Sequence, residues 1–333
     1  MLCTERFSLF QKQCKEFVVQ TPFLIASIHP HSTHLEEVAS HPLVGGLRFN
    51  TIVPSTQSPK ETLQKLQAVC GDKPLWIDVK GRQLRVMEYT DLFYAAVRIS
   101  HPIKVDLPST VFFKDYVHPG RMMEATITEI EGNRLILTRH PCRPLGKGEA
   151  LNILDPSLVI EGYLTDQDRA YLEAANELGI PHVMASFFEQ WSDKQDILVL
   201  HPNARVMAKI ESLRGVEFIR TLPAEHRLPL MAALDDLYIQ SGPEFIYPVL
   251  AGIQKCCSNM AVAASRILTS LEEARSISDV SFQDIMTILG LMKMKYRAFM
   301  LSDGLCYDAE TFRMAMQTWG HLMEQISLWE ETV

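Results

Sequence analysis

The sequence predicts an α/β protein built as a (β/α)8 TIM barrel with a small inserted antiparallel β-domain. Short apolar runs alternate along the chain with longer amphipathic stretches, and eight such runs can be counted. One segment between the third and the fourth run lacks the helical pattern. Alternating strands and helices are typical of a parallel sheet with right-handed crossovers, and eight strands is the number that closes this barrel.

The candidate strands are short, and the stretches between them repeat their apolar residues every three or four positions, as amphipathic helices do. Examples of the helical pattern are SPKETLQKLQAV, DQDRAYLEAANELG and FIYPVLAGIQKCCS. In chain order, the eight candidate strands are FLIASI from Phe23, GGLRFN from Gly45, LWIDV from Leu75, HVMASF from His182, RVMAKI from Arg205, DLYIQS from Asp236, MAVAAS from Met260 and RAFMLS from Arg297.

The segment from about Glu88 to Leu154 carries the alternating patterns ATITEI and RLILTR, which are typical of half-buried strands. The EGN sequence between these two runs is a hairpin signal. We therefore predict an N-terminal helix at 1–17, a first part of the barrel at 18–87, an inserted β-domain at 88–154 and a second part of the barrel at 155–333.

Composition and charge exclude several classes of function. The formal net charge of the 333 residues is −8, which argues against a nucleic-acid binder because phosphate backbones are held by clustered Lys and Arg. No apolar run approaches the roughly 20 residues that cross a bilayer, and the N-terminus lacks a signal-peptide pattern, so we expect a cytoplasmic protein without a membrane partner. The seven cysteines include no CxxC pair, which disfavours a zinc ribbon or a secreted disulfide framework.

A candidate site lies where the barrel strands end. Catalytic groups of such barrels sit at the C-terminal ends of the strands, and several polar side chains fall at or just past those ends. Lys209 and Glu211 are two residues apart on one strand and therefore point to the same face. A carboxylate there can hold Mg²⁺, and an ammonium can stabilise charge on a phosphoryl group or an enolate oxygen. The alternative for this pair is a salt bridge at the barrel rim.

Seven motifs, in matching order and spacing, resemble the pyruvate kinase family over nearly all of both units. They are ASIHPHS at Ala26, GLRFN at Gly46, WIDVKGRQLR at Trp76, MASFFEQWSD at Met184, AKIESLRGVE at Ala208, SRILTSL at Ser265 and FMLSDG at Phe299. The resemblance implies a barrel of the pyruvate kinase type, with the insertion at the place of the family's lid-like β-domain. The resemblance ends after the eighth barrel helix, so we expect no counterpart of the family's C-terminal regulatory domain.

The resemblance also implies roles for residues that would bind the substrate. Arg48 is similar to the arginine that contacts the substrate phosphate, and Arg85 to an arginine near the nucleotide phosphates. Lys209 is similar to the lysine that stabilises the enolate and the transferring phosphoryl group. Ser265 stands where the family has a threonine near the substrate methylene. These four residues are the predicted catalytic and substrate-binding groups, with Lys209 and Ser265 as the catalytic ones.

Metal ligands follow from the same resemblance. Glu211 is similar to one of two carboxylates that hold a divalent ion, Mg²⁺ or Mn²⁺, and Asn50 and Asp78 resemble two ligands of a monovalent ion, K⁺. The family's second divalent-metal carboxylate comes from an ARGDLG loop, for which we take QSGPEF as the counterpart. Gly242 then keeps the substrate-carboxylate contact, Pro243 replaces the aspartate and cannot bind a metal, and Glu244 is the candidate substitute.

Other departures fall at the same end of the barrel. Ile52 and Val53 replace the serine and histidine of the family's NFSH motif, and Asp303-Gly304-Leu305 replace GET after the last strand. We therefore predict a pyruvate kinase-like protein that binds a phosphoenolpyruvate- or pyruvate-like small acid with Mg²⁺. We expect it to act as a transferase or an enolate-forming lyase and not as an efficient glycolytic kinase. A nucleotide remains open as a further ligand, and so does a homo-oligomer.

Two alternative functions come from the same residues. The lost groups also fit a catalytically inactive protein that keeps ligand binding for a regulatory role. The HxH sequence of His29 and His31 after the first strand, with Asp303 after the eighth, is typical of metal-dependent hydrolases of the amidohydrolase type. That type also requires histidines after strands five and six, where this sequence supplies none.

Overall fold

Eight parallel strands close into a barrel, and helices on the outside connect them, as the sequence predicts. The computed structural model describes residues 22–91, 95–114, 122–138, 145–257 and 261–330. The predicted N-terminal helix at 1–17 lies outside the described residues. Going around the barrel, each strand pairs with its neighbour in sequence, except that the strand before the insertion pairs directly with the strand after it. The insertion therefore leaves the barrel uninterrupted.

The strands fall into three groups along the chain. The first three belong to the barrel: β1 (Phe23–Ser27), β2 (Gly46–Asn50) and β3 (Leu75–Val79). The next eight form the inserted module: β4 (Val86–Asp91), β5 (Ala96–Ile99), β6 (Ile103–Lys104), β7 (Ser109–Lys114), β8 (Met122–Glu131), β9 (Arg134–Leu137), β10 (Leu151–Ile153) and β11 (Val159–Ile160). The last five complete the barrel: β12 (His182–Ala185), β13 (Arg205–Ile210), β14 (Leu230–Ala233), β15 (Ala261–Ala264) and β16 (Ala298–Met300).

The helices cover the outside of the barrel. In chain order they are α1 (Leu35–Ser40), α2 (Pro59–Cys70), α3 (Asp166–Glu177), α4 (Trp191–Leu200), α5 (Leu213–Thr221), α6 (Leu234–Ser241), α7 (Ile246–Cys256), α8 (Phe282–Lys293), α9 (Asp303–Tyr307) and α10 (Ala309–Glu330). Short 3₁₀ helices cover Ala224–His226, Thr269–Glu273 and Ile277–Asp279. The local sequence determines where several helices begin. Ser58 and Glu61 form a capping box at the N-terminus of α2, as Thr165 and Asp168 do at that of α3.

The inserted module is an antiparallel sheet in the order β10-β7-β8-β9-β5-β4, with a separate pair of β11 and β6. Its strands extend from Val86 to Ile160, slightly beyond the predicted span of 88–154. The predicted hairpin joins β8 to β9 through Gly132 and Asn133, and Gly132 has a φ of 63°. A positive φ at this turn is readily adopted by glycine.

The sixth barrel strand is the point where the prediction was wrong. We expected DLYIQS from Asp236, but β14 is Leu230–Ala233 and the predicted segment lies in α6. Leu234, Leu237 and Ser241 are the buried residues of α6, and their spacing of three and four is helical. The true strand is a short run that follows Pro229 and is half alanine, so it carries little of the β-branched signal by which strands are found.

Side chains of the barrel strands alternate between two cores. Residues such as Ile77, Val206 and Phe299 point outward and pack under the helices in the main apolar core. Their neighbours Trp76 and Met207 point inward, into a smaller cluster inside the barrel. The module has its own apolar core. Within the described ranges, none of the helices combines the length and the hydrophobicity needed to cross a membrane.

Candidate active site

Asp78 is the centre of a buried network of charges inside the barrel mouth. Its side chain is fully buried at the end of β3. Arg48 donates to Asp78 Oδ2 through Nε at 2.9 Å, Lys209 Nζ lies 3.2 Å from Oδ1, and Lys80 Nζ lies 3.1 Å from Oδ2. Ser186 donates to Oδ1 at 3.2 Å. Burial alone would raise the pKa of the Asp78 carboxyl, but the three cations outweigh it and hold that pKa well below its usual value.

Lys209 and Glu211 converge as their spacing on one strand predicts. Both side chains are buried, and Lys209 Nζ lies 3.1 Å from Glu211 Oε1. Lys209 also donates to Ser186 Oγ at 2.7 Å. Burial opposes the charged form of Lys209, but Asp78 and Glu211 outweigh that effect and raise its pKa. The lysine is therefore a permanent ammonium held between two carboxylates.

The second oxygen of Glu211 is held by the backbone. Phe187 N donates to Glu211 Oε2 at 2.6 Å, and Phe187 has a φ of 47°. Left-handed backbone is uncommon for a bulky residue and is often found at functional sites. The loop that follows β12 thus fixes the direction in which the Glu211 carboxylate points.

A second carboxylate lies near Glu211, and it belongs to Asp236 and not to Glu244. Because β14 ends at Ala233, the residues directly after the sixth strand are Leu234, Asp235 and Asp236. Burial and the neighbouring carboxylate of Glu211 raise the pKa of Asp236 to about 7. Two carboxylates that repel each other in this way form a donor set that a divalent cation would stabilise.

The assignment of the QSGPEF segment to this loop is therefore wrong. Gly242 ends α6 with a φ of 73°, and Glu244 is exposed, so the two residues lie one helix away from the end of β14. The Glu244 carboxylate folds back over Gly242, where an added Cβ would lie 3.1 Å from Oε2. Pro243 therefore does not follow the sixth strand, so it cannot be taken as the replacement of an aspartate there, and the roles of Gly242 and Glu244 stay predictions.

Arg48 and Asn50 both contact Asp303, the first residue of α9. Arg48 Nη1 donates to Asp303 Oδ1 at 2.6 Å, and Asn50 Nδ2 donates to Oδ2 at 2.7 Å. The side chain of Arg48 is 7% exposed, whereas that of Asp303 is 50% exposed. Asn50 and Asp78 are register partners on β2 and β3, so their side chains start from neighbouring positions. The contacts of Asp78 in this structure are nevertheless with cationic side chains and a serine, so its role as a K⁺ ligand stays a prediction.

Lys80 and Arg85 lie where the chain leaves the barrel for the module. Asp168 of α3 accepts hydrogen bonds from Lys80 N at 2.8 Å and from Gly81 N at 3.2 Å, which fixes this turn. Burial lowers the pKa of Lys80 to about 7, against the attraction of Asp78. Arg85 Nη1 donates to Gly148 O of the module at 2.6 Å, and its buried Nε has no partner among the described residues. Arg85 thus connects barrel and module near the predicted nucleotide side.

Ser265 follows β15 in an unusual backbone conformation. Ser265, Arg266 and Leu268 have φ values of 64°, 51° and 57°. Arg266 Nε donates to Asp235 Oδ1 at 2.6 Å, and its guanidinium lies 4.4 Å from the centre of the Tyr238 ring. These contacts tie the loop that carries Ser265 to the first turns of α6.

The histidines after β1 form a small cluster of their own. His29 and His31 have ring centres 5.4 Å apart, and His31 N donates to His29 Nδ1 at 3.1 Å. Across the described ranges, no group of three or more His, Cys, Asp or Glu side chains is arranged to hold a metal ion. Burial and His31 lower the pKa of His29 against the attraction of Asp303, and the hydrolase hypothesis stays a prediction.

The structure adds three residues that the sequence reasoning did not assign to the site: Lys80, Ser186 and Asp236. Lys80 and Ser186 lie inside motifs that were recognised, and both come directly after strand ends, which is the signal that could have found them. Asp236 was missed because its segment was taken for a strand.

Comparison with known proteins gives a distant similarity. No protein-family model matches the chain. The chain is 19% identical over 266 residues to a pyruvate kinase of Borreliella burgdorferi, and the alignment covers 72% of this chain and 55% of that protein. The chain therefore spans about half the length of the curated relative that it matches. Together with the closed eight-stranded parallel barrel, this match indicates a distant pyruvate kinase-like relationship.

Proposed function

We propose that the barrel mouth binds a phosphoenolpyruvate- or pyruvate-like small acid together with Mg²⁺ and supports phosphoryl-transfer or enolate chemistry. The observation that carries this proposal is the contact of Lys209 with Glu211 at the end of β13, with Asp236 close behind the end of the neighbouring strand β14. An ammonium beside two carboxylates supplies both a cation for a developing oxyanion and a donor set for a metal ion.

Glu211 and Asp236 are the residues that would hold the divalent ion. Mg²⁺ is commonly bound by one or two carboxylates, with substrate and water oxygens completing its shell, so two protein carboxylates fit it. Burial first and the nearby Glu211 second raise the pKa of Asp236, and a divalent cation between the two carboxylates would offset both effects. The ion would supply Lewis-acid polarisation of the substrate oxygens.

The remaining steps fall to the side chains of the chain itself. Lys209, kept charged by Asp78 and Glu211, would face an enolate or phosphoryl oxygen and stabilise the negative charge that develops there. Ser186 holds the ammonium in place through a bond of 2.7 Å. Efficient glycolytic phosphoryl transfer is not part of the proposal, because Ile52 and Val53 stand where the resemblance implies polar groups. In addition, Arg48 already forms an ion pair with Asp303.

The experiment is proton exchange at the methyl group of pyruvate, followed by NMR in D₂O with and without Mg²⁺. We expect Mg²⁺-dependent exchange in the wild type and a loss of at least about 100-fold in Lys209→Ala and in Glu211→Ala, because each removes a preorganised charge. Lys60→Ala and Glu217→Ala are the matched controls, since both residues are exposed. Exchange at the wild-type rate in both site variants would contradict the proposal, and parallel assays with oxaloacetate and phosphoenolpyruvate plus ADP would identify the reaction.

A catalytically inactive ligand-binding protein is the second candidate. It is favoured by one observation: all three nitrogens of Arg48 already donate to acceptors within the protein. This alternative predicts that pyruvate with Mg²⁺ raises the melting temperature without any methyl exchange. Measuring both methyl exchange and the melting temperature on the same samples therefore distinguishes the two functions.

A further inference from the structure

The Asp303 carboxylate contacts both Arg48 and Asn50 at the mouth of the barrel. One oxygen accepts from Arg48 Nη1 and the other from Asn50 Nδ2, at 2.6 and 2.7 Å. These are the contacts that two oxygens of a phosphate or carboxylate group make with such donors. The chain therefore supplies its own carboxylate to the two residues.

The other donors of the mouth are also engaged. The remaining nitrogens of Arg48 donate to Asp78, and Lys209 Nζ contacts Asp78, Ser186 and Glu211. Lys80 differs, because its ammonium has only the contact with Asp78 among the described residues. The cationic charge that remains for a ligand is therefore small.

The number of negative charges on a ligand decides how strongly Asp303 opposes it. A phosphate group carries about −1.5 to −2 at neutral pH, and it would have to share Arg48 with a carboxylate 2.6 Å away or displace it. Pyruvate carries a single carboxylate and no phosphate, so it needs fewer cations. Arg48 is buried whereas Asp303 is half exposed, so water screens this repulsion only on the side of Asp303.

Asp303 also differs from what the resemblance implies for this position, where the family reads GET and this chain reads Asp303-Gly304-Leu305. A glycine there could not supply a carboxylate to Arg48. Aspartate at this position places a negative charge beside Arg48, and Ser302, the residue before it, caps α9.

We propose that Asp303 is a specificity-determining residue that keeps phosphorylated ligands away from Arg48 and Asn50 and so restricts the site to 2-oxo acids without a phosphate group. This inference rests on the proposed function for the identity of the preferred ligand. The role of Asp303 itself rests on the contacts with Arg48 and Asn50 and can be tested without Mg²⁺ or turnover.

The test is titration calorimetry of the wild type, Asp303→Ala and Glu310→Ala at low ionic strength. Glu310 is exposed and is the matched control for the loss of one negative charge. We expect inorganic phosphate, without metal, to bind Asp303→Ala at least tenfold more tightly than the wild type or Glu310→Ala. With Mg²⁺ present, phosphoenolpyruvate should gain at least tenfold in Asp303→Ala, whereas pyruvate should change by less than threefold.

Equal phosphate affinity in the wild type and Asp303→Ala would overturn the inference, and so would an equal gain for pyruvate and phosphoenolpyruvate. If Asp303→Ala does not fold, Asp303→Asn tests the same contact, because it keeps the size of the side chain and removes its charge. A wild type that fails to bind pyruvate with Mg²⁺ would contradict the proposed function, while the phosphate comparison alone decides the role of Asp303.

Discussion

The two ends of the barrel interior are built from the same strands but from opposite kinds of side chain. Near the strand starts lie Trp76 and Met207, in an apolar cluster that also holds three further methionines, Met184, Met231 and Met300. Two residues further along the same strands lie Asp78 and Lys209, in the charged network of the mouth. Because side chains alternate along a strand, one step of two residues changes the barrel from an apolar core into a site.

The difference shows that ion pairs between buried charges stabilise the mouth, whereas apolar packing stabilises the end where the strands begin. Methionine fills irregular gaps and is readily replaced by other apolar residues. A buried carboxylate shared by three cations has no such tolerance, since removing it leaves the cations without compensation. Three predictions test this contrast, and they follow from the largest expected effect to the smallest.

The largest effect is expected for Asp78→Asn, which keeps the shape of the side chain and removes its charge. Arg48, Lys80 and Lys209 would then face one another without their shared carboxylate, and we expect a loss of about 3–5 kcal/mol in the free energy of unfolding. Urea denaturation measures it. Met207→Leu on β13 is the apolar control and should cost less than about 1.5 kcal/mol. Equal losses in the two variants would remove the contrast between the ends.

An intermediate effect is expected for His182, a polar residue at the apolar end. Its ring lies 4.6 Å from that of Trp76, and burial, with a contribution from Arg205, lowers its pKa to about 4. Between pH 6.5 and 4 the unfolded chain takes up a proton at this residue that the folded protein does not, so stability falls as the pH is lowered. The full difference corresponds to at most about 3.5 kcal/mol.

His182→Leu checks this prediction against the wild type in urea denaturation at pH 7 and at pH 4.5. The variant should have similar stability at pH 7, because the buried Nδ1 of His182 has no partner among the described residues. Its advantage over the wild type should appear only at the lower pH. A constant difference between the two proteins at both pH values would mean that the histidine does not titrate as described.

The smallest effect is expected at the outer rim, for Arg266→Ala. The ion pair of Arg266 with Asp235 is partly exposed, at 37% and 51%, so the loss of stability should be about 1 kcal/mol or less and should shrink in salt. Lys60→Ala is the control, since Lys60 forms an exposed pair with Glu177 at 2.8 Å. A loss above about 2 kcal/mol, measured by thermal unfolding, would show that the rim shares the rigidity of the buried network.

Periodicity predicted most of the fold, and the failure has a local cause. Seven apolar runs contain the barrel strands; most of them carry branched or large apolar residues, and the alanine-rich Ala261–Ala264 lies in a run set off from its neighbours. The sixth strand, LMAA, is short and small, and the amphipathic α6 follows it without any break. The LYI of α6 therefore gave the stronger strand signal, and the tertiary pairing of β14 with β13 and β15 overrides it.

For the site, the sequence predicts what lies on one strand better than what comes from several. The Lys209 and Glu211 pair follows from a spacing of two, and the structure places the two groups in contact. Asp236 and Asp303 come from other strand ends, and their neighbours are set by the closure of the barrel. The resemblance identified Arg48 but gave no sign that Asp303 would be its partner, because this contact spans 255 positions of the chain.

The bond from Phe187 N to Glu211 has a consequence for how this protein can diverge. The donor is an amide of the main chain, and every residue except proline has one. Substitutions in that loop can therefore change the side chain and leave the orientation of the glutamate intact, provided that the left-handed turn is kept. Glycine adopts that turn without strain, so a related protein with glycine in place of Phe187 can keep the orientation of the Glu211 carboxylate.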